Sequence, residues 1–405
     1  MLSSLPGWLR FIFTFLLTAM LSADTWSLAQ HVDEANNDAP TTQPTRLALD
    51  RARAEAVRAA VARVAPAIVT IETVGGAQPL PEFAGGPGPG PRGGEPSFRV
   101  ADGPTTGLVW SADGYIITSA FNFVRNPTIA TVVLPDDGDL RGGPRRFVAE
   151  LVSRDQIRRL ALLKINANGL PVPDWTAAGD RLPGVTAIAC GRGLGEWSIG
   201  PADDPALRAF PAITVGILSA VGRRNDIAVQ TDAKTSPANY GGPLLDLDGR
   251  VIGVIVPMGM TGGSLAGVEW YDSGIGFAIT REAIERVIDR LKRGNDIEPG
   301  KMGVIIEDAE DGRCRVSRVA KSSPAESAGI RVGDLVIGLD DQTVGDRMEL
   351  MRRLSDRAAG ESVRVRVERP GEQSPLDIRL TLARPAELGG FDEPTEPPPE
   401  PAQEP

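Results

Sequence analysis

The sequence predicts a mostly β protein, in which antiparallel barrels or sandwiches are followed by a smaller β domain. Between residues 67 and 279 a dozen short apolar segments follow one another, and turn sequences such as "ADG" and "LDG" separate several of them. The chain has 46 glycines and 34 prolines but only 5% aromatic residues, a composition typical of turn-rich β proteins. With 405 residues, of which 41% are hydrophobic, it can bury more than one core.

The N-terminal segment predicts export. Arg10 precedes the apolar run "FIFTFLLTAML" at residues 11–21, and small residues follow it. A run of eleven residues is too short to cross a bilayer, so we interpret residues 1–29 as a secretory signal peptide. The sequence "SLA", ending at Ala29, is one cleavage site and Ala23 is the alternative. An uncleaved membrane anchor would instead tether the protein, and both interpretations place the body in the periplasm or another extracytoplasmic space.

The first domain is expected at residues 64–296. A polar linker and a leading helix, "TRLALDRARAEAVRAAVARV", occupy residues 30–63 before it. The dozen strand-like segments run from "AIVTIE" to "GIGFAI", and the long Gly- and Pro-rich stretch after the first of them predicts a surface loop. The pattern "REAIERVIDRLKRG" predicts one amphipathic helix over residues 281–294, which closes the domain.

A second domain is expected at residues 300–384, and an acidic Pro/Glu tail without a core at 385–405. The second domain has strand-like segments such as "MGVIIED" and "SVRVRVE" around a helical "DRMELMRRLSDRA". The net charge is −10, and residues 386–405 carry six acidic residues and no basic one, so the remainder of the chain carries −4. This nearly neutral body lacks the basic stripe of a nucleic-acid binder, and we expect no nucleic-acid partner.

These segments resemble the HtrA/Deg family of exported serine proteases over about residues 61–383. The matching pieces are "VARVAPAIVTIE", "TGLVWSADGYIITSAFNFV", "RRLALLKI", "TDAKTSPANYGGPLLDLDGRVIGV", "GIGFAI" and "SPAESAGIRVGDLVIGLDDQTV". Any one of them is weak evidence, but their order and spacing together are specific. The resemblance implies two antiparallel β-barrels of trypsin-like (chymotrypsin) fold, followed by a PDZ domain.

All three positions of the family's catalytic triad are substituted. The resemblance places the serine nucleophile immediately before "GGPL", where this chain has Tyr240. The histidine would end the segment after "GYIIT", where Phe121 stands, and the aspartate would precede "LALLKI", where Arg159 stands. Because a triad needs a nucleophile, a proton acceptor and a group that orients the acceptor, we expect no catalytic residues here.

Two further departures point in the same direction. The single histidine, His31, lies next to the predicted cleavage site, so no imidazole is available in the barrels. The turn before the nucleophile has a glycine in the family, and this chain reads Ala238 and Asn239. A side chain at position 238 restricts the backbone, so the geometry of the oxyanion hole is expected to be altered as well.

Two alternatives for the substituted site follow from its residues. A Ser236/Lys234 pair, or Tyr240 itself, would be an unorthodox nucleophile, but a lysine in a turn is usually solvated and a phenol is poorly ionised near neutral pH. In the other alternative, the side chains at the three substituted positions meet and plug the cleft that forms the active site in the family. The guanidinium of Arg159 then lies between the aromatic faces of Phe121 and Tyr240. In a weaker version of the plug, Arg159 turns to solvent and only the aromatic rings fill the space.

The PDZ-like unit predicts capture of a peptide by strand addition, with backbone amides receiving a terminal carboxylate. The expected peptide-binding residues are the loop "KMGV", formed by Lys301, Met302, Gly303 and Val304, and the helical residues Met348 and Met351. Methionines suit apolar pockets of loose specificity. Leu354, on the same helix, is expected in the core instead.

We therefore predict an exported, catalytically inactive HtrA-like pseudoprotease that binds peptides or unfolded proteins, including C-terminal segments, and has a role in protein quality control. The alternatives are an active serine endopeptidase with an unorthodox nucleophile, and a structural or regulatory subunit of an active protease paralogue. The resemblance implies a homo-oligomer, commonly a trimer. No cofactor and no metal are expected, and Cys190 and Cys314, the only cysteines, are expected to be separate buried thiols.

Overall fold

The structure, a computed structural model, describes residues 46–75, 104–124, 126–135, 145–193, 210–258 and 274–391. The predicted signal peptide, nearly all of the predicted surface loop and the tail beyond residue 391 lie outside the described residues. The contacts divide the chain after Glu55. Residues 46–55 are exposed helical turns, and the second unit begins at Ala56.

The first barrel is closed by six described strands that pair in the order β1-β2-β3-β6-β5-β4. Helix α1, Arg46–Val64, and a 3-10 helix at Ala65–Ala67 lead into it. The strands are β1 Ile68–Val74, β2 Thr105–Ser111, β3 Tyr115–Ser119, β4 Ile129–Val133, β5 Arg146–Asp155 and β6 Leu160–Ile165. Pairing of β1 with both β2 and β4 closes the ring, and every pair is antiparallel.

The second barrel repeats the arrangement in the order β10-β11-β12-β9-β8-β7, again counting described strands. Its strands are β7 Thr186–Gly191, β8 Ala212–Gly222, β9 Ala228–Thr231, β10 Pro243–Leu245, β11 Val251–Val256 and β12 Gly276–Ile279. Several barrel strands are nearly continuous apolar runs, such as "LALLKI" in β6 and "VIGVIV" in β11, which are buried along almost their whole length. Such runs are typical of strands that are covered on both faces.

The C-terminal sheet has the order β13-β14-β15-β17-β18, with β16 paired to β15. Its strands are β13 Val304–Asp308, β14 Cys314–Val319, β15 Leu335–Leu339, β16 Gln342–Thr343, β17 Ser362–Glu368 and β18 Leu376–Thr381. In β17 the valines of "SVRVRVE" are buried and the residues between them are exposed or half-buried. This alternation shows that one face packs on a core and the other meets solvent.

Short helices connect and flank the sheets. They are α2 Arg223–Asp226, α3 Arg281–Glu285, α4 Ile288–Lys292, α5 Pro324–Ser327 and α6 Arg347–Leu354. The sequence predicts one continuous helix over residues 281–294, but the structure breaks it into α3 and α4. Val287 leaves helical geometry, at φ −126° and ψ −13°, and its amide bonds to Ile284 three residues back, so the chain bends there.

The predicted fold class is confirmed: the protein is mostly β, with two closed antiparallel barrels followed by a PDZ-like sheet. Within the described ranges, no helix has the length and apolar character that a membrane span needs. The same residues contain no group of His, Cys, Asp and Glu side chains that could hold a metal ion.

Candidate functional site

The three residues predicted to stand at the triad positions, Phe121, Arg159 and Tyr240, come together where the two barrels meet. Phe121 lies in the 3-10 helix Ala120–Phe123 that follows β3, Arg159 directly precedes β6, and Tyr240 precedes β10. The backbone amide of Ala120 donates to the carbonyl of Arg159 at 2.8 Å, which joins the first two positions. The rings of Phe121 and Tyr240 meet edge to face, with centroids 5.6 Å apart and an interplanar angle of 83°.

The Tyr240 side chain fills apolar space. Only 2% of the residue is exposed, and it belongs to a buried cluster with strand residues of the second barrel such as Leu244 and Ile255. Phe121 is half-buried and packs against that cluster. An edge-to-face ring pair contributes about 0.5–1.5 kcal/mol beyond the area that it buries. The position expected for a small nucleophile therefore carries a large ring that is part of the barrel core.

Arg159 occupies a constrained backbone position. Its φ is +59°, in the left-handed region that few residues other than glycine adopt. The residue is half-buried, and its carbonyl also accepts a hydrogen bond from Ser119 Oγ at 3.4 Å. Its backbone thus connects β3 and β6. A guanidinium between the two rings stays a prediction.

The turn at residues 236–240 uses its own amides. The amides of Asn239 and Tyr240 both donate to the carbonyl of Ser236, at 2.9 Å and 3.1 Å. The Asn239 side chain closes the turn, because its Oδ1 accepts from the Ser236 amide at 2.9 Å and its Nδ2 donates to the Lys234 carbonyl at 3.1 Å. An amide bonded inside a turn does not point at a substrate oxygen, so the Tyr240 amide is not an oxyanion donor in this arrangement.

A largely buried polar network, which was not predicted from the sequence, holds this turn with donors from both barrels. Thr106 Oγ1 donates to the Ala238 carbonyl at 2.9 Å, and the Gly193 amide donates to the same oxygen at 2.9 Å. Asn122 Nδ2 donates to the Tyr240 carbonyl at 3.3 Å and to Thr118 Oγ1 at 2.9 Å. The sequence signal for this network is the presence of hydroxyl side chains in apolar strands, because a buried hydroxyl needs a hydrogen-bond partner.

The other candidate reactive groups are a lysine beside the site and the two cysteines, of which one lies in the second barrel and the other in the C-terminal sheet. Lys234, the predicted partner of Ser236 in an unorthodox nucleophile, is exposed to solvent. Cys190 is a free, buried thiol in β7, and burial raises its pKa to about 12. Cys314 is likewise free and buried in β14, and burial, followed by nearby acidic residues, raises its pKa to about 11. Both thiols therefore stay protonated at neutral pH and are poor nucleophiles.

The expected peptide-binding loop lies at the start of the C-terminal sheet. Gly303 has φ +83°, and a Cβ at this position would collide with the Ser323 side chain, so glycine is required there. Lys301 is exposed and exchanges two backbone hydrogen bonds with Ala383, so its amide is already engaged. The Met302 side chain is 5% exposed and packs in the core of the sheet, so we expect its contribution to come from the backbone.

An apolar strip lies beside the free edge of this sheet. Among the described strands β13, which begins at Val304, pairs with β14 alone, so its other edge is open. On α6, Met348 and Met351 are 60% and 49% exposed, whereas Leu354 packs against the core. An open strand edge next to exposed methionines matches the geometry of strand addition.

The beginning of the predicted tail contacts the same domain. Pro385–Glu387 forms a 3-10 helix, and the Lys321 amide donates to the Gly390 carbonyl at 3.2 Å. The Arg318 guanidinium lies 5.6 Å from the centre of the Phe391 ring. Residues 385–391 thus have a backbone hydrogen bond and a cation–π contact that the acidic composition of the tail did not predict.

Two segments of the chain match known domain families. Residues 105–254 match a trypsin-like peptidase domain, and residues 300–380 match a PDZ domain. A probable periplasmic serine endoprotease, DegP-like, from Marinomonas sp. (strain MWYL1) is 30% identical over 297 residues, which are 69% of this chain and 57% of the relative. A protein of the same description from Chlamydia muridarum is 31% identical over 301 residues, which are 70% of this chain and 55% of the relative. The chain thus spans little more than half the length of these relatives.

Solved structures show the same fold over most of the chain. The crystal structure of the serine endoprotease from Yersinia pestis has a TM-score of 0.56 and 25% identity, and the match covers 81% of this chain and 97% of that one. The HtrA-type protease AlgW with a decapeptide has a TM-score of 0.56 and 23% identity, with coverage of 84% and 98%. The second likeness concerns the fold alone.

Proposed function

We propose that this chain, a member of the HtrA/DegP family in which a trypsin-like peptidase domain is followed by a PDZ domain, is an exported pseudoprotease. It binds peptides or unfolded proteins through the PDZ domain and does not hydrolyse them. The observation that carries the proposal is the ring pair of the buried Tyr240 and the half-buried Phe121, which stands where the family's serine hydroxyl and imidazole are expected.

The chemistry of peptide hydrolysis supports this proposal. The nucleophile has to transfer its proton to an adjacent base, and the only histidine of the chain is His31, far from the barrels in sequence. The Tyr240 amide donates to the Ser236 carbonyl, and the loss of one oxyanion donor alone costs roughly 3 kcal/mol of transition-state stabilisation. The proton acceptor and the oxyanion donor are therefore impaired together.

The proposed binding role rests on the PDZ domain. The loop around Gly303 and the open edge of β13 supply backbone groups to an extended peptide, and Met348 and Met351 supply an apolar surface for its side chains. The name of one structural relative mentions a bound decapeptide. C-terminal segments of peptides or unfolded proteins are the proposed ligands.

The relatives are named periplasmic, which supports an exported, periplasmic location for this chain. Residues 1–29 are the proposed signal peptide, and a membrane tether follows if this segment is retained. A homo-oligomer, a trimer by resemblance, is the proposed assembly. An active protease paralogue is a proposed partner.

A hydrolysis assay on the purified full chain tests the loss of activity. Unfolded casein and a fluorophosphonate probe are added, and we expect neither cleavage nor labelling above the level given by Tyr240→Phe and Ser236→Ala preparations. Dose-dependent cleavage that either substitution abolishes would overturn the proposal. That result would favour the second candidate, an active endopeptidase, which the names of the relatives suggest.

A peptide array probed with the full chain tests the binding role. We expect capture of peptides with free C-terminal carboxylates and loss of capture in a Met348→Lys/Met351→Lys variant, because two charges then replace apolar contacts. Val332→Lys is the matched control, since Val332 is also an exposed apolar residue of this domain, 64% exposed, but belongs to the connection between α5 and β15 and not to α6 or β13. Equal capture by all three proteins would contradict a groove between β13 and α6.

A further inference from the structure

We propose that an arginine-lined cavity between the barrels and the C-terminal sheet binds a small oxyanion, such as a phosphate- or carboxylate-bearing molecule. The cavity has a volume of about 630 Å³. The cavity is lined from the side of the barrels by Arg158 and Arg286, and from α6 by Arg352 and Arg353. This site is independent of the substituted triad, so it does not depend on whether the barrels hydrolyse peptides.

The acidic residues of the cavity are already neutralised by arginines. Each of the four carboxylates in its lining has at least one partner. The pairs are Asp340–Arg357 at 2.5 Å, Asp341–Arg364, Asp356–Arg224 at 3.2 Å and Glu361–Arg357 at 3.6 Å. Asp340 also accepts from the backbone amide of Arg364 at 3.0 Å, and Asp356 from the side chain of Asn225. These carboxylates are therefore not available to balance the other arginines.

Two guanidinium groups of the lining keep an unsatisfied donor. Arg158 is 8% exposed; its Nη1 pairs with Asp155 at 2.8 Å, but its buried Nε has no hydrogen-bond partner among the described residues. The buried Nε of Arg353 also has no hydrogen-bond partner among the described residues, although the Nη2 of this side chain pairs with Glu349. A buried charged donor without a partner is unfavourable, and a ligand oxygen would satisfy it.

The positive charge of two more arginines in the lining is balanced only weakly, or not at all, by carboxylates of the described residues. The Nε of Arg286 donates to the backbone carbonyl of Glu282 at 3.3 Å, and no carboxylate of the described chain lies within 4 Å of its guanidinium. Arg352 is 60% exposed and its nearest carboxylate, Glu349, is 3.7 Å away and is shared with Arg353. Positive charge from two domains thus converges on one cavity.

The chemistry of the lining selects the class of ligand. A guanidinium offers a planar fork of donors that matches the oxygens of a carboxylate or a phosphate. The volume of about 630 Å³ suits a compact molecule and not a long polyanion. A compact molecule with one or two oxyanion groups can reach the arginines while it avoids the acidic side chains.

Isothermal titration calorimetry of the full chain tests the proposal, with inorganic phosphate and citrate as separate probes at constant ionic strength. We expect saturable binding of at least one probe to one site per chain. The Arg286→Gln/Arg352→Gln double variant should raise Kd by about tenfold or more, since two charge-assisted contacts are lost. Both side chains are exposed, so the variant should fold, which circular dichroism checks. Binding of phosphate alone would assign a phosphate-bearing ligand, and binding of citrate alone a carboxylate-bearing one.

The matched control is Arg281→Gln, which removes one exposed arginine from α3 outside the cavity, where it pairs with Glu285 at 2.7 Å. This control should keep the Kd of the unmodified chain. Absence of saturable heat with both probes would overturn the proposal. An unchanged Kd in the double variant would overturn it equally, because binding would then not depend on the arginines of the cavity.

Discussion

Tyr240 affects the site mainly through the size of its side chain. A serine at this position would leave room in the cleft, whereas the tyrosine ring joins the core of the second barrel and contacts Phe121 of the first. The tyrosine ring therefore links the two barrels through aromatic packing. We expect this packing to contribute measurably to stability.

The packing can be measured with a double-mutant cycle. Tyr240→Ala should lower the free energy of unfolding by about 3–5 kcal/mol, because it leaves a cavity in the core. Combined with Phe121→Ala, the two changes should show a coupling energy of about 0.5–1.5 kcal/mol, as expected for an edge-to-face ring pair. Urea denaturation of the four proteins gives these values. Additive effects of the two substitutions would show that the rings do not stabilise each other.

A second residue-scale prediction concerns Asp334, a fully buried carboxylate of the PDZ domain. Burial itself raises the pKa of Asp334, but hydrogen bonds from the Arg369 side chain and the Arg331 backbone amide outweigh it and hold the pKa below the ordinary value of 3.8. Because the folded pKa is the lower one, this stabilisation is complete above pH 3.8 and is lost as the pH falls through the folded pKa.

The stability of the unmodified chain should therefore fall as the pH is lowered below 3.8, and Asp334→Asn should reduce that dependence while it lowers stability at neutral pH. Arg369→Gln should have a similar but smaller effect, since the Arg331 amide still favours the ionised carboxylate. Thermal unfolding followed from about pH 2 to about pH 7 measures this. Identical pH profiles for the wild type and Asp334→Asn would contradict the assignment.

At the scale of elements, the turn before β10 requires glycine for two reasons. Gly241 has φ +88°, and a Cβ there would collide with Thr118 Oγ1 and with the Thr106 carbonyl. Gly169 has a similar φ of +70°, but nothing lies within 4 Å of the point that a Cβ would occupy. The two glycines thus share the backbone requirement and differ in packing.

Gly169→Ala should cost about 1–2 kcal/mol, the cost of a left-handed backbone for a residue with a Cβ. Gly241→Ala should cost about 1–3 kcal/mol more, because the methyl group also collides with the polar network that holds the turn. Chemical denaturation monitored by tryptophan fluorescence gives both values. Equal losses of stability would show that the turn can move away from the first barrel.

The strands were the most predictable elements. All twelve apolar segments of the first domain correspond to strands β1–β12, because short apolar runs between turn residues leave few other structures open. The break at Val287 was missed, since the apolar periodicity of residues 281–294 continues through it. The network of Thr106, Thr118 and Asn122 was missed too, because a hydroxyl in a strand is compatible with either face until the partner oxygen is known.

At the scale of the whole molecule, the segment between the second barrel and the PDZ domain is fastened at both ends. Ile297 exchanges backbone hydrogen bonds with β5 and the residue after it, at 2.8 Å to Arg154 and 2.9 Å to Gln156. The Gly300 amide donates to the Arg357 carbonyl at 2.8 Å, on the PDZ side. The sequence could not predict this docking, because it depends on residues far apart in the chain.

Asp356 adds a side-chain connection between the same two parts. It pairs with Arg224 at 3.2 Å and accepts from Asn225, and the Arg224 and Asp356 side chains are largely buried, at 20% and 13% exposed. A charge-assisted contact of this kind contributes about 1.5–3 kcal/mol. We therefore expect the barrels and the PDZ domain to unfold in one calorimetric transition, since loss of one domain removes these contacts from the other.

Asp356→Ala should separate that transition into two, with the PDZ domain unfolding first, because the smaller domain buries less apolar surface and loses support from Arg224. Differential scanning calorimetry of the full chain measures the separation. Asp377→Ala is the matched control: it removes an exposed ion pair with Arg366, at 2.8 Å, that lies entirely within the PDZ domain. The control should lower the transition temperature slightly and keep a single peak. A single peak in Asp356→Ala as well would mean that the backbone contacts at Ile297 and Gly300 suffice to couple the domains.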